Sequence, residues 1–166
     1  MRGRRLHPAK TTDRASYSRG VVEPASNDTV TGRRNTTHTL AEIEQAIRES
    51  WSLDTADEDD GWTPDNPSRG QCDITSLVIH DLLGGELLAA DVFLEGERIE
   101  GHMWNRLPSG IELDLTRKQF QRGEVIGEPL ARPRPAEFDP SHPRYHRYEQ
   151  YLVLSGRVRA RSGLDG

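Results

Sequence analysis

The sequence predicts an α+β domain in which N-terminal helices pack on a small antiparallel β-meander, behind a disordered N-terminal tail. Three observations carry this expectation. Apolar residues recur at helical spacing over residues 40–51 and again over 72–83. Residues 87–115 then change to short strand-forming runs divided by two turn signals. Residues 1–38 show neither period and are rich in Arg, Ser, Thr and Asn.

The first helix begins at Thr39-Leu40-Ala41-Glu42, a Thr N-cap followed three residues later by Glu, which is a capping box. Leu40, Ile43, Ile47 and Trp51 follow on one expected core face. Residues 52–70 read as a long loop whose acidic run, Asp57 to Asp60, is expected to be a solvated turn. It leads into Gly70-Gln71-Cys72-Asp73 and a second helix over about 72–83, stopped by Gly84-Gly85. Strands are expected over 87–94, 98–106 and 111–115, with Glu95-Gly96-Glu97 and Leu107-Pro108-Ser109-Gly110 as turns. Thr116 to Phe120 reads as a short helical turn. Residues 128–143 carry five prolines and read as an extended connector. A last helix, with Tyr145, Tyr148, Tyr151, Leu152 and Leu154 packing back, is expected to end at Ser155-Gly156. The resulting division is a tail over 1–38, one domain over 39–158 and a disordered tail over 159–166.

A chain of 166 residues suits one domain plus tails, and its hydrophobic fraction of 33% is low. Residues 1–38 hold eight Lys/Arg and three acids, whereas the rest hold fourteen and twenty-four. The folded part is therefore acidic, which argues against nucleic acid at its surface. No apolar segment follows the basic N-terminal residues, and no stretch reaches the roughly 20 apolar residues of a membrane span. The expected location is the cytoplasm, with no membrane partner. Cys72 is the one cysteine, so an internal disulfide and a Cys-rich zinc cage are excluded. No cofactor is expected.

Cys72 is the candidate nucleophile. A helix N-terminus offers unpaired N–H groups and a positive dipole end, both of which stabilise a thiolate. The base is expected to be His102: His7 and His38 lie in or beside the tail, His142 and His146 lie in the Pro-rich end, and His80 sits about 12 Å along the same helix. Asp114 would orient it. If Leu107-Pro108-Ser109 forms a three-residue loop, Arg106 pairs with Gly110 and His102 faces Asp114 directly, whereas a one-residue change would separate their faces. Gln71 is a candidate oxyanion donor, and Trp104 and Asn105 are candidate pocket residues. Asp114 also has a local alternative, capping the turn at Thr116.

A Cys at a helix start, a His on a strand and an Asp on the next strand resembles papain-like and transglutaminase-like enzymes. Gly70-Gln71-Cys72, Gly101-His102 and Glu112-Leu113-Asp114 carry that likeness in the matching order. The stretch from Trp51 to Phe120 more specifically resembles the YunG-like family of small bacterial proteins. That resemblance rests on Gly70-Gln71-Cys72 with Thr75-Ser76, His102-Met103-Trp104-Asn105, and Asp114-Leu115-Thr116 with Gln119-Phe120. It implies a papain-like fold and no particular substrate. Papain-type peptidases place the oxyanion Gln several residues before the Cys and an aromatic soon after it. Neither holds here, which favours amide hydrolysis, deamidation or acyl transfer over peptidase action. The expected function is thus a cysteine acyl-transfer enzyme forming a thioester on an amide-containing substrate, a protein or peptide among the candidates. The alternatives are an inactive papain-like binding module and a zinc site of Cys72, His102 and Asp114.

Overall fold

A computed structural model describes residues 37–137 and 139–164. The leader expected to be disordered lies, up to residue 36, outside the described residues, as do residues 165–166. Helix α1 spans Leu40–Arg48 and opens with the anticipated capping box: Glu42 N–H donates to Thr39 Oγ1 at 3.3 Å and Thr39 N–H to Glu42 Oε2 at 2.8 Å. It stops three residues earlier than its apolar spacing suggests, so Trp51 reaches the core from beyond the helix. Ile43, Ile47 and Trp51 are buried. Leu40, in the first turn, is 39% exposed and not a core residue.

Helix α2, Cys72–Leu83, has the expected bounds. Strands β1 (Glu86–Leu94) and β2 (Glu97–Arg106) form an antiparallel hairpin, and β3 is only Glu112–Leu113. The expected third strand, 111–115, is therefore shorter than its alternation implies. Ile111 is 62% exposed because it closes the turn, its carbonyl accepting the Leu107 N–H at 2.8 Å.

Two strands escaped the sequence reading. β4 (Glu124–Ile126) and β5 (Leu130–Arg132) both return to pair antiparallel with β1, so the meander becomes a sheet ordered β3-β2-β1-β4 with β5 also on β1. Part of the Pro-rich connector is thus strand. Helix α3 spans Tyr145–Ser162, running through Gly156 and into the stretch expected to be a disordered tail. The cost of one helical Gly, about 1 kcal/mol, is outweighed by Leu154 and Val158, which are fully buried on either side of it.

The main core lies among the three helices, with Ile43, Ile47, Ile74, Val78, Leu154 and Val158. Leu88, Ala90 and Trp104 form a second cluster with Ile126. Pleat alternation separates the two sides of the sheet. Asn105 bonds the α2 backbone at Ser76 O (2.9 Å), so Asn105 and Met103 face α2 while His102 and Trp104 face away.

Asp81 ties the connector and α3 to α2. It accepts from Arg134 Nε at 2.7 Å and from the Tyr151 hydroxyl at 2.6 Å. Burial pushes its carboxyl up, but Arg134 and Tyr151 more than reverse this and hold it at about 2. A depressed carboxylate contributes its full stability above the unfolded value near 3.9, and loses it as pH falls through the folded value. Asp81→Asn is therefore expected to lower stability by roughly 2 kcal/mol at pH 7. The gap to the parent should close between about pH 4 and 2, as read by urea denaturation.

Candidate functional site

The loop before α2 is folded by a close approach. Gly70 has φ +71°, and a Cβ there would lie 2.9 Å from the Asp57 nitrogen. The Asp57 N–H donates to Gly70 O at 2.9 Å. This pins residues 57–60 beside the start of α2. Asp57 and Asp60 are consequently half-buried rather than in a solvated turn; only Glu58 and Asp59 are exposed.

Cys72 opens onto a cleft of about 490 Å³ on the α2 side of the sheet. Ala89, Gly101 and Met103 contribute to its walls, with Leu130 across the sheet in register with Ala89. Six carboxylates and three guanidinium groups line it. Cys72 keeps some surface open, yet burial dominates its ionisation. Burial and then the neighbouring Asp73 push the thiol up to about 12, against the Met103 N–H directed at the sulfur. Desolvation and nearby carboxylates thus oppose the helix-dipole stabilisation of a thiolate that the sequence suggests.

His102 and Asp114 do meet, although the assumed register does not form. Arg106 pairs with Glu112, not Gly110, through a five-residue loop closed by Leu107 and Ile111. The shift is two residues, so the faces are kept. Asp114 lies diagonal to His102, and Nε2 bonds Asp114 Oδ2 at 2.8 Å. The Gln119 amide donates to Nδ1 at 3.1 Å, so Nε2 carries the ring proton. Asp114 also fulfils its local alternative: Oδ1 accepts the Thr116 N–H at 3.2 Å and hydroxyl at 3.3 Å. The imidazole stacks on Trp104 and meets Phe120 edge-on, and its side chain has 0% exposure. No hydrogen bond joins Cys72 to His102.

The remaining sequence candidates are spoken for. Gln71 is fully buried and its amide donates to Ser52 O at 3.0 Å, away from an oxyanion role. Asn105 is likewise buried against Ser76. Trp104 Nε1 donates to Glu112 at 3.0 Å, on the far side of the sheet from the cleft. Cys72, His102 and Asp114 do not converge as a zinc site; among the described residues no group of three ligating side chains could hold a metal.

Two residues were missed by the sequence reading. Gln119, 2% exposed, occupies the imidazole's second nitrogen. Its only sequence signal was its place beside Phe120 after Asp114. Replacing it with Leu keeps the volume but leaves the buried Nδ1 unpaired, so Gln119→Leu is expected to lose about 1–3 kcal/mol in denaturation. Arg147, 3% exposed, sends its guanidinium from α3 to both Asp73 oxygens and to Gly70 O at 3.2 Å. Its signal was a charged residue in line with Leu154 and Val158 on one helix face.

The family model described as YunG protein matches residues 39–163. The "Uncharacterized protein YunG" of Bacillus subtilis (strain 168) is 32% identical over 82 residues, which are 49% of this chain and 64% of that protein. The aligned segment thus spans less than two thirds of the relative's length. No solved structure matches.

Proposed function

The chain belongs to the YunG family, and we propose that it is a binding module on a papain-like scaffold, holding an amide-containing ligand in the cleft beside Cys72 without acylating the thiol. The observation that carries this reading is the commitment of both His102 ring nitrogens, to Asp114 and to Gln119. A general base needs a free lone pair within reach of the proton it takes. Nδ1 accepts from the Gln119 amide instead. Burial and the neighbouring Asp73 push the thiol up, so it is protonated at pH 7. Cys72 then acts as a small polar wall of the cleft.

The reading is tested with activated esters, p-nitrophenyl acetate and its phenylacetate analogue, followed by intact mass. No acyl adduct on the parent protein is the expected result. A stoichiometric adduct that disappears in Cys72→Ala would overturn it.

The 2.8 Å pairing of His102 with Asp114 favours one second reading, acyl transfer. There the imidazole leaves Gln119 and turns from the far face of the sheet toward Cys72, so that Nδ1 takes the thiol proton. The thiolate attacks an amide carbonyl to form a thioester, the leaving amine takes the proton back, and water or an amine resolves the thioester.

A further inference from the structure

A smaller cavity of about 110 Å³ lies beside the cleft and shares Asp73, Met103 and Arg144 with it. Met103 therefore borders both spaces. The smaller one is walled by Ile74 and Leu77 of α2, Pro135 of the connector, and Tyr148 and Tyr151 of α3. The guanidinium groups around it already have partners: Arg134 pairs with Asp81, and Arg147 with Asp73. What the space offers an occupant is apolar surface.

We propose that this cavity is the side-chain subsite of the cleft ligand, taking a branched aliphatic group of leucine size, while the ligand's amide-bearing and cationic remainder lies in the cleft past Cys72. This rests on the binding-module reading and adds the ligand's chemistry. Size favours the group: the space of about 110 Å³ is smaller than an apolar cavity of about 150 Å³ that holds benzene, so a branched aliphatic side chain fits it more closely than the ring of Phe. Charge selects the remainder: Asp57, Asp73, Asp91 and Glu100 of the cleft already pair with arginines, which leaves Asp60 and Glu128 as the cleft carboxylates outside those ion pairs. Asp60 is half-buried, and burial raises its carboxyl. A nearby cation on the ligand would offset that burial.

The test uses the full chain and three probes, lysyl-leucine amide, lysyl-glycine amide and lysyl-phenylalanine amide, followed by amide chemical shifts. The leucine amide is expected to bind at least about tenfold more tightly than either other probe, the scale set by a missing or extra group in an apolar pocket. Its binding should move the signals of Leu77 and Tyr151. Ala136→Phe is exposed on the connector and narrows the cavity from outside the core, so it should erase the leucine preference. Equal affinity for the three probes, or no binding by any, overturns the inference. Acylation of Cys72 is read separately, so the binding-module reading and this subsite can fail independently.

Discussion

Arg147→Met is expected to cost about 3–5 kcal/mol of folding stability, because removing one partner of a buried ion pair strands the other. Arg147 is 3% exposed and joins α3 to the segment around Cys72 through Asp73 and Gly70 O. Its loss leaves Asp73 with the looser Arg144 contact at 3.2 Å and the Ile74 N–H at 2.8 Å, and leaves Gly70 O with the Asp57 N–H as its remaining donor. The urea midpoint should fall with little change in slope. Asp73→Asn added to Arg147→Met should recover part of the loss, since the uncompensated charge is gone. Additive losses in the double variant would contradict the pairing account.

His102→Ala should have the second large effect, a loss of about 3 kcal/mol. The imidazole fills the gap between Trp104 and Phe120 and satisfies Asp114 and Gln119. Truncation leaves a cavity and takes the imidazole from Asp114 Oδ2 and from the Gln119 amide at once. The same variant should leave the reactivity of Cys72 unchanged, which separates a structural imidazole from a catalytic base. A drop in thiol reactivity without a drop in stability would reverse the assignment.

Much of this was legible because it is written locally. The Thr39–Glu42 capping box, the glycine stop after α2 and the alternation through Trp104 are short-range signals, and each formed where the pattern put it. The pairing of His102 with Asp114 survived a wrong register because the error was an even number of residues. β4 and β5 were hidden because three residues are too few to carry a period, and only the free edge of β1 makes them strands. The commitment of His102 was equally hidden, since it depends on where Gln119 lands after the turn at Thr116. The burial that opposes ionisation of Cys72 is hidden for a similar reason. The helix start is visible in sequence, but the folding of Asp57 and Asp60 against it depends on a close approach at Gly70.

The alkylation rate of Cys72 by iodoacetamide against pH is the most direct test of the central claim, that this thiol is neutral and unpaired. With one cysteine in the chain, intact mass reports it without ambiguity. The structure predicts slow alkylation that climbs only above the ordinary thiol value of about 8.5, with the same profile in His102→Ala. Fast alkylation with an inflection well below that value, lost in His102→Ala, would contradict the claim and make Cys72 and His102 a catalytic pair.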